Sequence, residues 1–184
     1  MMDIYLVRHG EAAAQWGQSA DPGLSERGRL QAEIARDDIL GLVREPLALL
    51  SSPLARARET ARPLAERWQC EVTIDDAYRE VPAPVPRDQR LDWLKGFMAG
   101  HWDDQPAALH EWRERILDNL GRLERPSVIF THFLVINAVV GCVQGRDEVL
   151  CFMPDNGSVT HLRFNGGALE LSALGRELDT PVIL

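Results

Sequence analysis

The chain has 184 residues, of which 45% are hydrophobic and 26% are charged, and its formal net charge is −8. These values predict one globular domain over residues 1–184, and the negative charge argues against nucleic acid or a membrane surface as a partner. No apolar run approaches the roughly 18 residues that a membrane helix needs. The N-terminus lacks a signal-peptide pattern, and three separated cysteines without C-x-x-C spacing predict reduced thiols in a cytoplasmic protein. The cysteines are Cys70, Cys142 and Cys151.

The first predicted element ends in polar residues. Residues 4–7 form a short apolar run that predicts a buried strand, and Arg8, His9 and Gly10 follow it directly. In open α/β sheets, ligands bind at the carboxyl ends of the strands. Glycine at position 10 allows a sharp turn or a close approach to a ligand. We therefore expect Arg8 and His9 at a ligand site if other segments converge there; otherwise they are ordinary loop residues.

Turn signals and apolar periodicity predict alternating helices and strands over residues 21–74. The predicted elements are a helix capped by Ser25, a buried strand over 46–50, a helix over 53–68 with Pro53 in its first turn, and a strand over 70–74.

Residues 81–104 contain three prolines and two glycines, and they predict an irregular, lid-like excursion with a short helix near 91–97. We expect the aromatic residues of this region to fill the core or, in one or two cases, to face the substrate. These aromatic residues are Trp93, Phe97 and Trp102, and we expect the same of Trp112 in the helix that follows.

The remaining elements complete an α/β pattern. A helix is predicted over 107–123, a third buried strand over 127–131, an apolar segment over 133–143, and a hairpin around Asn165-Gly166-Gly167. The alternation of strands and helices predicts a three-layer α/β sandwich, in which helices flank a central, mostly parallel sheet.

Three of the buried strands lead into polar groups. The first leads into Arg8 and His9, the second into Ser52 and then Arg56, and the third into His132. If these strands are neighbours, two guanidinium groups can grip a tetrahedral oxyanion, and the start of the following helix adds backbone amides. A neutral His9 imidazole beside them could attack phosphorus, while the other groups hold the charge of the transition state.

Departure of an alkoxide needs an acid, and Glu80, which follows the strand at 70–74, is the best-placed carboxyl group by topology. The sequence contains no metal-ligand cluster, P-loop or Gly-x-Ser-x-Gly elbow. We therefore expect phosphoryl chemistry on a small phosphorylated substrate, with no metal and no cofactor.

At this point the chain resembles the histidine phosphatase superfamily, which includes the cofactor-dependent phosphoglycerate mutases. The resemblance implies that His9 is the nucleophile, that His132 is the second catalytic histidine, and that Arg8 and Arg56 bind phosphate. The matching blocks are Leu6-Val7-Arg8-His9-Gly10-Glu11, Leu24-Ser25-Glu26-Arg27-Gly28 with Gln31-Ala32, Ser52-Pro53-Leu54-Ala55-Arg56-Ala57 with Thr60-Ala61, His132, and Asn156-Gly157-Ser158.

The chain also departs from the family pattern. Gln15 stands near a family asparagine that assists phosphate binding, and its amide could donate instead. Phe133 replaces the glycine that commonly follows the second histidine, and it is expected to narrow the pocket. Residues 81–84 differ from the family run after the general acid, which leaves the role of Glu80 open. Some members lack that acid and act on phosphohistidine, whose leaving imidazole needs less help.

Four functions stay open at this stage. A phosphatase that passes through phospho-His9 is favoured over a phosphoglycerate mutase-type phosphoryl transfer, because the excursion carries few basic residues beyond Arg87, Arg90 and Lys95. A protein phosphohistidine phosphatase is the third candidate. A non-catalytic binding module is the fourth, although mere binding would not require a nucleophile. The sequence carries no signal for an oligomeric state.

Several polar residues are expected to have no part in the site. Arg58 lies two positions from Arg56 and should face another side of its helix. We expect solvated side chains at His101 and His110, and a structural histidine at His161.

Overall fold

The computed structural model describes residues 1–14 and 20–178 of the chain. The described residues form six strands and five α-helices, joined by loops and three short 3₁₀ turns at Asp76–Tyr78, Arg87–Gln89 and Trp102–Asp104. In chain order the elements are β1 (Met2–Arg8), α1 (Glu26–Leu42), β2 (Ala48–Ser51), α2 (Ala55–Trp68), β3 (Val72–Ile74), α3 (Arg90–Met98), α4 (Ala107–Gly121), β4 (Ser127–Thr131), α5 (Phe133–Val143), β5 (Val159–Asn165) and β6 (Ala168–Ala173).

The strands form one mixed sheet in the order β3-β2-β4-β1-β5-β6. The first four strands of this order are parallel to one another, and β5 and β6 are antiparallel additions at one edge. The glycines of the predicted hairpin turn, Gly166 and Gly167, have φ angles of 58° and 96°, a conformation that favours glycine. The prediction of a mostly parallel sheet is confirmed, and β1, β4 and β2 are direct neighbours.

Residues of the central strands alternate between the two faces of the sheet. Along β1, Ile4 and Leu6 enter a core shared with α3, α4 and α5, whereas Tyr5 and Val7 enter a second core shared with α1 and α2. Helices therefore cover both faces, which confirms the three-layer sandwich. Strand β4 is buried at every residue, and a strand covered on both faces carries a nearly continuous apolar run.

Helix α2 begins later than the sequence predicts. Pro53 is not in its first turn, because Leu54 is extended (φ −69°, ψ 138°) and the helix begins at Ala55. The backbone N–H of Ala55 donates to Oδ1 of Asp21 at 2.9 Å. A carboxylate is favoured at a helix N-terminus, so this contact attaches the turn at Asp21 to the start of α2.

No helix among the described residues is both long enough and apolar enough to cross a membrane.

Candidate active site

A cavity of about 370 Å³ opens where the parallel strands end. His9, Arg56 and Glu80 line it, together with Arg79, Arg87 and Arg90 on the wall that follows β3. Arginine is thus concentrated here, in a chain whose overall charge is negative. The cavity is suited to an anionic ligand.

His9 is held as one defined tautomer. Its ring is buried, Nδ1 lies 2.7 Å from the carbonyl oxygen of Gly10, and Arg56 Nε donates to Nε2 at 3.1 Å. A carbonyl oxygen only accepts and a guanidinium only donates, so the ring proton is on Nδ1 and the lone pair is on Nε2. Burial, followed by the charges of Arg56 and Arg8, holds the pKa of His9 well below its usual value of 6.5. Nε2 is therefore unprotonated at neutral pH, and its lone pair accepts the N–H of Arg56.

The backbone around His9 is fixed from three directions. The amide of His9 donates to the carbonyl of Thr131 at 3.0 Å, and the amide of Gly10 donates to Oγ1 of Thr60 at 3.0 Å. Nδ2 of Asn156 donates to the carbonyl of His9 at 2.9 Å. Thr60 and Asn156 belong to sequence blocks that carried the resemblance, although the sequence did not show what they contact.

The loop after His9 packs against the first turns of α1. A Cβ added to Gly10 would overlap the carbonyl of Gly28, and a Cβ added to Gly28 would overlap the carbonyl of Glu11. Oε1 of Gln31 accepts the amide N–H of Glu11 at 2.7 Å. These contacts explain in physical terms why two glycines and a glutamine occur in separate blocks of the sequence.

Arg8 is partly buried beneath the site. Its Nη1 donates to the carbonyl of Pro154 at 2.7 Å, and its Cζ lies 4.9 Å from the centroid of the Phe133 ring. Burial lowers the pKa of Arg8 to about 10, and the carboxylates of Glu80 and Asp155 partly offset this effect. Arg8 therefore remains charged at neutral pH. The expectation that Phe133 narrows the pocket is wrong, because its ring packs against the guanidinium and is not among the residues that line the cavity.

Arg56 and Arg58 occupy different surfaces of α2, as the helical spacing predicts. Arg56 lines the cavity, and burial lowers its pKa while the charges of Glu80 and Asp21 act in the opposite direction. Arg58 is exposed and lines a separate groove beside β3.

His132 lies beside His9, with 5.2 Å between the ring centroids. It is fully buried, and its Nε2 lies 2.7 Å from Oγ of Ser52. Burial, together with the charge of Arg56 and the neighbouring His9, holds the pKa of His132 well below 6.5. The sequence predicted that β2 and β4 end at the same place, but it did not predict this hydrogen bond.

Glu80 is only 3% exposed, although it lines the cavity. Its Oε1 accepts the amide N–H of Val81 at 2.9 Å, and its Oε2 accepts the amide N–H of Leu134 at 3.4 Å. Burial raises the pKa of this carboxyl group, and the two amides and Arg56 reduce the shift. A raised pKa keeps a proton on Glu80 at higher pH, as a general acid requires.

The chain before Glu80 is tied to the sheet and to α4. Oγ1 of Thr131 donates to the carbonyl of Tyr78 at 2.8 Å, and Nε1 of Trp112 donates to the carbonyl of Arg79 at 3.2 Å. These contacts bring Glu80 to the cavity, as the topological argument required.

The other residues discussed in the sequence analysis have structural or surface positions, except Gln15, whose position is not described. His161 stacks on Tyr5 and bonds Oδ1 of Asp3 at 2.7 Å, which confirms a structural histidine. His101 is exposed, and the side chains of residues 1–14 and 20–178 offer no cluster of three or more groups that could hold a metal ion. Gln15 lies outside the described residues.

The aromatic residues of the 81–104 region and of α4 do not line the cavity. Phe97, Trp102 and Trp112 are buried in the core, and Trp93 stacks on Phe97. The part of this region that faces the cavity is Val81, Pro82, Val85, Arg87 and Arg90.

Comparison with known proteins places this geometry in a family. The histidine phosphatase superfamily (branch 1) matches residues 4–177. A probable phosphoglycerate mutase of Erwinia tasmaniensis is 32% identical over 126 residues, which is 64% of this chain and 51% of that protein. A probable phosphoglycerate mutase of Salmonella arizonae is 29% identical over 79% of this chain and 76% of that protein. The chain thus spans about half the length of several of its curated relatives.

Solved structures share the fold. A phosphoserine phosphatase of Entamoeba histolytica, in complex with 3-phosphoglyceric acid, has a TM-score of 0.74 and 22% identity, over 96% of this chain and 98% of that one. A mycobacterial glucosyl-3-phosphoglycerate phosphatase has a TM-score of 0.68 and 24% identity, over 95% and 98%. Since the family match covers nearly all of the described residues, the chain belongs to the histidine phosphatase superfamily.

Proposed function

We propose that the protein is a phosphatase that hydrolyses a small phosphomonoester through a covalent phosphohistidine at His9. The observation that carries this proposal is the tautomer of His9. The carbonyl of Gly10 accepts its proton, its unprotonated Nε2 accepts the N–H of Arg56 at the cavity, and its pKa lies well below the usual value of 6.5. When a phosphoryl group binds, Arg56 donates to a phosphoryl oxygen instead, which frees the Nε2 lone pair for attack. A module that only bound phosphate would gain nothing from a buried, deprotonated nucleophile.

In the first step, Nε2 of His9 attacks phosphorus and the bond from phosphorus to the leaving oxygen breaks. Glu80 transfers its proton to that oxygen, so the product leaves as an alcohol. Arg8, Arg56 and His132 stabilise the charge on the remaining phosphoryl oxygens. In the second step, the Glu80 carboxylate takes a proton from water as the water attacks phosphorus. The bond from phosphorus to Nε2 then breaks, which releases inorganic phosphate and restores His9.

The wall of the cavity supports a substrate with a second anionic group. Arg79, Arg87 and Arg90 line the same cavity as His9, so a carboxylate or phosphate on the leaving group would meet positive charge. Names among the relatives and structural neighbours point the same way, since phosphoserine and phosphoglycerates carry a carboxylate beside the phosphoryl group.

The same arginine wall favours one second candidate, phosphoryl transfer of the phosphoglycerate mutase type. Arg79 adds to the few basic residues counted in the sequence, and such a wall could retain a phosphorylated acceptor. A phosphohistidine phosphatase fits the site less well, because that leaving group does not need the buried carboxyl group of Glu80.

The test is a rapid-quench incubation with radiolabelled 3-phosphoglycerate and with an aryl phosphate. We expect an acid-labile, base-stable phosphoryl adduct on His9, followed by release of inorganic phosphate, and neither should form in His9→Ala. Transfer of label to a second phosphoglycerate, without release of phosphate, would identify a mutase. An adduct on serine or cysteine would refute the mechanism.

A further inference from the structure

Ser52 has no role in the proposed mechanism, although it contacts a residue that does. It is fully buried at the end of β2, and its Oγ lies 2.7 Å from Nε2 of His132. The amide N–H of Leu54 donates to the same oxygen at 3.3 Å, and the amide of Ser52 donates to the carbonyl of Phe130 at 2.9 Å. The backbone of Ser52 is therefore fixed by Phe130 of β4, and its hydroxyl oxygen is fixed by the amide of Leu54, just before α2.

These contacts determine the direction of the hydrogen bond to His132. A backbone N–H can only donate, so Oγ of Ser52 already acts as an acceptor toward Leu54. Oγ has a second lone pair, so this contact alone leaves both directions open, but the hydroxyl proton has no acceptor among the described residues other than Nε2 of His132, which makes Ser52 the donor. If Nε2 accepts, the single proton of the neutral imidazole must be on Nδ1.

Nδ1 of His132 is buried and makes no hydrogen bond to any described residue. A buried polar atom without a partner is costly, so its occurrence calls for an explanation. His132 follows β4, which lies between β2, the strand that ends before Ser52, and β1, the strand that ends at Arg8. With Nε2 engaged by Ser52, Nδ1 is the nitrogen that remains for a group bound beside His9.

We propose that Ser52 is a positioning residue that fixes the tautomer of His132, so that Nδ1–H donates a hydrogen bond to a phosphoryl oxygen in the transition state. The inference rests on the proposed function, since it needs a phosphoryl group at His9. It assigns opposite tasks to the two histidines. Both carry their proton on Nδ1, but His9 acts through its Nε2 lone pair and His132 acts through its Nδ1–H bond.

The first test reads the tautomer directly in the protein without substrate. Long-range ¹H–¹⁵N spectra of the ¹⁵N-labelled protein at pH 7.5 distinguish protonated from unprotonated ring nitrogens. Only five histidines contribute, and the signals lost in His132→Asn identify His132. We expect a protonated Nδ1 and an unprotonated Nε2. A proton on Nε2 in the unsubstituted protein would overturn the inference without any activity measurement.

The second test compares two adjacent buried serines. Oγ of Ser51 donates to the carbonyl of Ser52 and does not contact a catalytic group, so Ser51→Ala is the matched control. Ser52→Ala should shift the His132 signals toward a mixture of tautomers and lower kcat by roughly 10- to 100-fold, by analogy with the loss of the partner that orients a metal-bound histidine. Ser52→Thr keeps the hydroxyl group and should restore both the spectrum and most of kcat.

The outcomes separate this inference from the proposed function. Equal losses in Ser51→Ala and Ser52→Ala would show a packing effect and overturn the inference, as would an unchanged tautomer and kcat in Ser52→Ala. If Ser52→Ala does not fold, the spectra of the unsubstituted protein and of Ser52→Thr decide. If no phosphomonoester is turned over by any form, the proposed function fails, while the spectra still decide which nitrogen carries the proton.

Discussion

Glu80→Gln is the substitution that examines the chemistry of the site most directly. The amide oxygen of glutamine can still accept the N–H of Val81, which Oε1 of Glu80 accepts at 2.9 Å. The amide nitrogen would then face the N–H of Leu134, and the hydrogen bond lost there is long, at 3.4 Å. The side chain should therefore keep its place, and the main change is the loss of a transferable proton.

The size of the effect depends on the leaving group. Positioned general acid catalysis contributes about 10²- to 10⁴-fold, so Glu80→Gln should slow hydrolysis of an alkyl phosphate by that factor. An aryl phosphate releases a phenolate that needs little help, so transfer of its phosphoryl group to His9 should be nearly unchanged, although both phosphoenzymes should be hydrolysed more slowly because Glu80 is also the base of the second step. The assay measures the rate of phosphoenzyme formation by rapid quench for glycerol phosphate and for a nitrophenyl phosphate with the same protein preparations.

The matched control is Glu59→Gln. Oε2 of Glu59 accepts the amide N–H of Leu24 at 2.7 Å, so this variant makes the same chemical change outside the cavity. Both substrates should be hydrolysed by Glu59→Gln almost as fast as by the parent. Equal losses in the rate of phosphoenzyme formation for alkyl and aryl substrates in Glu80→Gln would show that Glu80 is not the acid of the first step, and the true substrate would then need no acid, as phosphohistidine does.

The folding stability of Glu80→Gln should differ from that of the parent in a way that depends on pH. Because the pKa of Glu80 is raised in the folded state, the folded protein binds this proton more tightly than the unfolded chain. The stability of the parent should therefore decrease as pH rises from the ordinary glutamate pKa of 4.5 through the folded pKa of Glu80. Glu80→Gln removes this contribution, so its melting temperature relative to the parent should increase across that window.

Three further predictions concern Arg56 beside His9, Arg87 on the cavity wall, and the dependence of turnover on a metal ion. Arg56→Ala removes a hydrogen-bond donor to the phosphoryl group and should cost about 2.7–4 kcal/mol of transition-state stabilisation. It should also move the acid limb of the kcat/KM profile to higher pH, because His9 loses a nearby cation and its pKa rises. Arg58→Ala is the control and should be nearly neutral, and equal losses in both variants would contradict the assignment of the helix faces. Arg87→Ala should raise KM for 3-phosphoglycerate by roughly threefold to fivefold, since exposed ion pairs contribute up to about 1 kcal/mol. KM for phenyl phosphate, which has no second anionic group, should be unchanged. An equal change for both substrates would argue against binding of a second anionic group at the arginine-lined wall of the cavity. Turnover should persist in excess EDTA, and a loss that is restored by added divalent metal would contradict the mechanism.

The sequence was sufficient to predict where the site lies. Residues 4–7 and 127–131 are apolar enough to indicate buried strands, and polar residues follow each of them directly. Buried parallel strands all end at the same edge of a sheet, so the convergence of His9 and His132 follows from pattern and topology alone. The separation of Arg56 from Arg58 follows from the period of the helix.

The contacts that tune these residues could not be predicted in the same way. The hydrogen bond between Ser52 and His132 joins residues 80 positions apart, and it depends on side-chain directions that no local pattern encodes. The same holds for Phe133, whose size suggested a narrower pocket. Its ring instead lies against the guanidinium of Arg8, because a planar cation and an aromatic face attract each other. The aromatic residues near the cavity were ambiguous for a related reason, since composition does not show which side of a segment faces the core.

The site carries more positive than negative charge, and this excess bears on its chemistry. Arg8 and Arg56 are both partly buried, and this lowers the pKa values of both groups. Glu80 is the only carboxyl group that lines the described cavity, and burial favours its protonated form, so it compensates these cations only in part. A phosphoryl dianion would supply the missing negative charge, which the transition state spreads over the equatorial oxygens that these groups contact. Partly buried cations that are costly in the free protein are thus the groups that favour the transition state most.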